Sequence, residues 1–410
     1  MQKRKVGFLR MLGPGILVAA TGVGAGDLAT AAFTGNRLGV AILWAVLLGA
    51  GIKLILNEGL ARWQLATGTT FLEGGIPRLG RGFLYFMLFY LIFWSYFVGS
   101  ALMSASGVAA QAILPFSDPV QGKILYGLLH SAAGVLLIVL GGYALFEKTM
   151  KVCIALMFVT VICTAALMVE SWSAVAMGLV WPVIPEGGAD GISWTVALMG
   201  GVGGTLTILC YGYWIREEGR EGPSDLPVCR IDLGAGYAMT ALFGLAMVVI
   251  GAGTAVEGSG AGLIVSIGDR LHEILGPFAR WAFLLGAWGA IFSSLLGVWQ
   301  SVPYLFTDLY RQLDRDAART IAIAKSRPYL IYLLLLATVP AVGLWTSFRS
   351  VQKAYALVGA AFMPMLAVML IFLNGWGRRA QKKLPNPLWL NLVLVLVTLF
   401  FVVTGWYQLG

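Results

Sequence analysis

The sequence predicts an all-α integral membrane protein of about eleven transmembrane helices, built as an inverted five-plus-five repeat with the first and sixth helices broken. Three observations carry that expectation. Of 410 residues, 59% are hydrophobic and only 11% charged, with a mean hydropathy of +0.84; a soluble domain carries about 25% charged residues. About eleven apolar runs approach the roughly 20 residues needed to cross a bilayer. Two glycine clusters then interrupt runs at matching places: Gly22-Val23-Gly24-Ala25-Gly26-Asp27 in the first and Gly200-Gly201-Val202-Gly203-Gly204-Thr205 in the sixth. The two runs are an odd number apart, so they enter from opposite faces. That is the pattern of an inverted repeat with its site near the midplane. The expected organisation is one transmembrane domain: repeat one over about residues 11–171, repeat two over about 191–375, and an extra helix over about 386–408.

In chain order the runs cover about residues 12–33, 38–65, 83–114, 124–145, 152–169, 194–215, 233–255, 278–306, 329–345, 354–373 and 388–407. A loop with Pro182 and Pro185 separates the fifth from the sixth, and the polar stretch 257–276 is expected to hold a short helix outside the membrane. With the N-terminus in the cytoplasm, 21 of the Lys and Arg residues fall on the cytoplasmic side and 6 on the other. This follows the positive-inside rule and puts the C-terminus outside. The expected location is a bacterial plasma membrane. A net charge of +9 suggests no nucleic-acid partner, because the charges lie in loops between apolar runs. Cys153, Cys163, Cys210 and Cys229 lack metal-site spacing and read as small hydrophobes. No cleavable signal segment, phosphate loop or hydrolase motif is present, so neither an enzyme nor a cofactor is expected.

The first glycine cluster is the centre of the reading. Each glycine weakens a helix by roughly 1 kcal/mol relative to alanine. A carboxylate at membrane depth costs about 2.5 kcal/mol or more on insertion scales. Together they predict a helix unwound at Gly22–Asp27, and irregular backbone survives in a bilayer only where it is buried in protein or lines a wet cavity. Tight helix packing is the competing explanation for either cluster alone. On the second run, Lys53, Asn57, Glu58 and Arg62 allow helical-face pairing, read either as an interior strut or as a gate or ion path. His130 stands alone on an apolar run and reads as a structural hydrogen bonder. Arg216, Glu217 and Glu218 read as a solvated cap with a gate contact as the alternative, and Ser293, Ser294 and Gln300 face the bundle or cap the breaks.

Gly13-Pro14-Gly15, Ala29-Thr30, Arg62 with Ala66-Thr67-Gly68, and Gly203-Gly204-Thr205 resemble the first, second and sixth helices of the natural-resistance-associated macrophage protein (Nramp) family of divalent-metal transporters. The resemblance covers most of the chain and implies the fold of the amino-acid/polyamine/organocation superfamily. The departures are specific. The family's D-P-G-N signature falls on Gly24-Ala25-Gly26-Asp27, and its M-P-H falls on Thr207-Ile208-Leu209. The third helix, residues 82–116, holds no acid. The chain is therefore similar to the Nramp-related magnesium transporters.

If the substrate is a cation, the resemblance implies a site of Asp27, the Gly24 and Gly204 carbonyls and the Thr207 hydroxyl, with Asp27 and Thr207 as side-chain ligands. All are oxygen donors, which suit Mg²⁺ or Mn²⁺ better than softer metals. Without a histidine there or a third-helix acid, weak or absent proton coupling is expected. An organic solute such as an amino acid is the alternative: its carboxylate would meet the amides of a half-helix N-terminus. Trp94, Tyr96, Tyr211, Tyr213 and Trp214 would then supply apolar walls. A non-transporting membrane scaffold is the third class. The partners expected are a divalent ion and the lipid bilayer; nothing in the pattern sets an oligomeric state.

Overall fold

The computed structural model describes residues 13–185, 188–254, 262–313, 323, 326–377 and 380–409. Every regular element among them is helical. Nine helical stretches are long and apolar enough to cross a bilayer, or ten with the bent pair Met157–Met168 and Trp172–Val180. Among the described residues a largely apolar core encloses a few buried polar side chains, and large apolar side chains also face outward. Asp27, Lys53, Asn57 and Asp232 are fully buried, whereas Leu140 and Phe278 are at least 80% exposed.

The first span starts at Pro14, whose missing N–H costs nothing at a helix start. It runs Pro14–Gly22, continues as the π-helix Val23–Thr30, and ends as Ala31–Leu38. Gly39, at φ 66°, turns the chain into the second span, Leu43–Thr67. The third is Arg81–Ile113. The predicted fourth and fifth runs share one continuous helix, Pro119–Met168. No proline stands between them, so nothing local removes a rung of the ladder. The predicted loop that follows contains the helix Trp172–Val180, bent 112° from its predecessor, and a Cβ on Gly178 would stand 2.1 Å from the Val40 carbonyl.

The sixth span is Ala189–Gly201, then an irregular stretch, then Leu206–Cys210 in 3-10 form and Tyr211–Glu217. The seventh is Leu226–Ala252 and the eighth Pro277–Leu313. The helix expected between them is Leu263–Leu275; residues 255–261, including the predicted end of the seventh run, lie outside the described residues. The ninth span, Arg327–Thr338, tightens to 3-10 geometry over Val339–Trp345, where Pro340 interrupts the ladder. The tenth starts earlier than hydropathy suggests, at Phe348, because Ser347 caps it by accepting from the Ser350 N–H. The last span is Leu388–Leu409.

Candidate functional site

The two glycine clusters meet. A Cβ on Gly22 would lie 2.5 Å from the Gly204 nitrogen and 2.7 Å from the Gly203 carbonyl carbon, so no side chain fits there without moving backbone. The sixth span is broken as expected. Its helix ends at Gly201, and Gly203 and Gly204 follow at φ 76° and 80°, a region that suits glycine. Thr205 Oγ1 accepts from Trp94 Nε1 at 2.8 Å and anchors the break to the third span.

The first span departs from expectation. It is not unwound at Gly22–Asp27 but stays helical through the π segment Val23–Thr30. The glycine penalty is small beside the several kcal/mol for each backbone group left unsatisfied in a dry interior. The ladder therefore widens instead of opening, and Gly24 lies inside helix rather than in released backbone. Insertions of this kind are frequent at functional sites. The eighth span supports it: Ser294 Oγ donates to the Ala20 carbonyl at 2.8 Å, the capping role expected of that serine. Ser293 bonds its own helix at Ala290, and Gln300 accepts from Trp214.

Asp27 is buried at the junction. Its Oδ1 accepts from the Gly203 N–H at 2.9 Å, while its Oδ2 has no hydrogen-bond partner. A buried carboxylate oxygen left open in this way is costly and calls for an explanation. Lys53 faces it. The ammonium is fully buried, donates to the Gly200 carbonyl at 2.7 Å and to the Val202 carbonyl, and attracts Asp27 electrostatically. Asn57, one turn on, donates to the Tyr237 hydroxyl at 3.2 Å and keeps an unpartnered Oδ1. Tyr237 and Thr240 in turn lie 3.0–3.1 Å from where a Gly203 Cβ would stand. Thr207 approaches from another side: its Oγ1 is 2.6 Å from the Cβ position of Gly204.

The structure thus brings Asp27, Lys53, Asn57, Gly204 and Thr207 to one junction and separates Glu58 from it. Glu58 pairs with Arg62 at 2.6 Å and Arg230 at 2.8 Å, tying the second span to the seventh. It belongs to a strut, whereas Lys53 and Asn57 belong to the break. His130 is spent structurally, with Nδ1 on the Tyr126 carbonyl and Nε2 accepting from Trp288 Nε1, both at 2.7 Å. Among the described residues no three His, Cys, Asp or Glu side chains cluster as a metal cage.

Two acid sites escaped the sequence reading. Asp232, fully buried, accepts from the N–H groups of Gly13 and Gly15, from Tyr211 and from Arg220 at 2.8 Å. The missed signal was the Gly13-Pro14-Gly15 start, whose free amides need an acceptor. Asp308 accepts from Tyr213 and from Thr70 Oγ1, beside a pocket of about 340 Å³ that also holds Glu73 and Arg216. Arg216 pairs with Glu73 at 2.6 Å while Glu217 and Glu218 are exposed. Burial works against the Glu73 charge, but the Arg216 hydrogen bonds and the Thr70 N–H outweigh it and hold the carboxyl below its ordinary range.

The fold is shared with solved membrane transporters. A manganese transporter of Eremococcus coleocola, bound to an aromatic bis-isothiourea compound, superposes with a TM-score of 0.71 at 15% identity, over 97% of this chain and 85% of that one. MhsT in complex with L-phenylalanine gives 0.63 at 15% identity, over 96% and 98%. A nucleobase-cation-symport-1 family transporter, closed on bromovinylhydantoin, gives 0.56 at 13% identity, over 97% and 92%. At these identities the likeness is one of fold. No curated protein sequence matches. The profile of the family described as natural resistance-associated macrophage protein-like matches residues 15–409, nearly the whole chain. Its members are transporters, not enzymes. The chain is an integral membrane protein of the natural resistance-associated macrophage protein-like family.

Proposed function

We propose that this protein carries a divalent metal cation across the membrane by alternating access, that the ion is a hard one such as Mg²⁺ or Mn²⁺, and that coupling to protons is weak or absent. The open Oδ2 of Asp27, buried where the first and sixth spans touch, is the observation that carries the reading. The donors of the proposed site are oxygens: the Asp27 carboxylate, the Thr207 hydroxyl and the backbone of Gly204, which lies in irregular chain, whereas the Gly24 carbonyl is held within the π-helix. No sulfur or imidazole stands at the Thr207-Ile208-Leu209 positions, and such donor sets suit ions that keep part of their water. The similar Eremococcus transporter carries manganese by name, which supports the metal class. Lys53 offsets the single carboxylate, so binding should be weak and matched to an abundant ion rather than a scarce one.

The same charge balance favours a second reading. A neutral Asp27–Lys53 junction beside Trp94 and Tyr355 would suit a small organic solute with an apolar part. Titration calorimetry of the purified protein separates the two. A Mg²⁺ or Mn²⁺ isotherm that disappears in Asp27→Ala supports the metal reading. Stabilisation by amino acids, with none by either metal, overturns it. Internal acidification driven by metal in proteoliposomes would remove the claim of weak proton coupling.

A further inference from the structure

Lys53 is an unusual side chain to find at the break. It is wholly buried in a span, where a lone ammonium is expensive, and it feels the charge of the one acid of the junction. Its acceptors are the carbonyls of Gly200 and Val202, the last turn of the half-helix Ala189–Gly201 and the residue after it. Carbonyls at a helix C-terminus lack intrahelical partners and carry roughly half a negative charge. In transporters with interrupted spans, such half-helix ends and unwound carbonyls are where coupling alkali cations sit. Two further buried oxygens of the junction lack a hydrogen-bond partner: Asp27 Oδ2, and Asn57 Oδ1 one turn along from Lys53 on the same helix.

We propose that the Lys53 ammonium is a tethered monovalent cation filling a latent alkali-metal site made by the Gly200 and Val202 carbonyls with the Asp27 carboxylate, so that the native protein needs no free Na⁺ to hold the broken sixth span against the first. This goes beyond the cargo reading and shares only Asp27 with it, because the rest of the cradle is Lys53 and the Gly200 and Val202 carbonyls. The charge logic is direct. A carboxylate and a helix C-terminus facing each other repel and demand a cation between them. A covalently attached ammonium supplies that charge without a binding equilibrium. Removing the ammonium while leaving the oxygens should create a real Na⁺ site, with water filling out the shell. A purely mechanical cap would leave no such ion dependence behind.

The test is thermal melting of the purified full-length protein in choline chloride, NaCl and KCl at equal ionic strength. The wild type should melt alike in choline and sodium. Lys53→Ala should melt lower in choline and rise saturably with Na⁺ by roughly 3 °C or more. Lys53→Arg, which keeps a cation, should remain insensitive. Adding Asp27→Asn to Lys53→Ala should abolish the sodium response. The proposal is overturned if Lys53→Ala and Lys53→Gln melt identically in choline and sodium, or if neither folds even in NaCl, since an emptied alkali site must be rescued by the ion. A wild type that itself requires Na⁺ overturns it equally. Loss of metal binding with the sodium response intact would count against the cargo reading alone.

Discussion

Asp27 and Asp232 are both fully buried carboxylates in membrane spans, and they are treated in opposite ways. Asp232 is saturated. It receives two amides at the start of the first span, the Tyr211 hydroxyl and the Arg220 guanidinium. Asp27 receives one amide, keeps one oxygen open, and is offset by an ammonium that spends its hydrogen bonds elsewhere. Burial alone therefore does not mark a functional acid in this bundle. The saturated carboxylate works as a clamp that ties the first helix to the seventh. The open one leaves a buried oxygen unsatisfied at the cost of local stability, which fits the proposed role in holding an ion.

The contrast is broken most directly by making the same change at both places. Asp232→Asn removes the carboxylate charge from a buried ion pair with Arg220, which costs about 3–5 kcal/mol. A steep fall in melting temperature and loss of monodisperse protein on size-exclusion are the expected outcome. Asp27→Asn keeps an acceptor for the Gly203 amide, so stability should shift by about 1 kcal/mol or less while cargo binding falls at least about tenfold. Equal destabilisation by the two variants would erase the distinction.

A smaller effect sharpens it from the side of packing. Gly22→Ala forces a methyl against the Gly203–Gly204 backbone and should cost about 1–3 kcal/mol, because backbone must yield. Calorimetry should show binding lost along with that stability, whereas Gly51→Ala on the second span, where a Cβ meets nothing within 4 Å, should leave binding intact.

The smallest effect concerns the exposed end of the molecule. The Glu73–Arg216 pair is part-exposed and contributes at most about 1 kcal/mol. Because the folded carboxyl lies below its ordinary value of 4.5, that contribution is present above 4.5 and disappears as pH falls through the lowered value. The stability gap between wild type and Glu73→Gln should be constant near neutral pH and close in stronger acid. A gap that instead widens on acidification would show that the pair is not what stabilises the contact between the Phe71–Gly75 segment and the sixth span.

Much of this was legible in the chain itself. Hydropathy located the runs, and glycine spacing located the junction, because an approach so close that a Gly22 Cβ would stand 2.5 Å from the Gly204 nitrogen leaves a mark in composition. Asp27 was conspicuous as the acid inside such a cluster. Lys53 and Asn57 were visible as polar residues in a span, yet their separation from Glu58 was not, since helical periodicity alone does not say which neighbour each face meets. The widened helix at Val23–Thr30 was misread as unwound for a related reason. Local propensity counts the weakness of glycine and omits the surrounding dry bundle that forbids an open ladder.

Class, span order and the place where the two glycine-rich spans meet follow from the linear pattern, because hydrophobicity and glycine content act over one or two helical turns. Which carboxylate is saturated and which is open was decided only in three dimensions. The amide of Gly13 and the acid that caps it are 219 residues apart, and the carbonyls that hold Lys53 lie 147 and 149 residues away. Hydrogen-bond saturation belongs to a meeting of distant segments, and no window along the chain contains both partners.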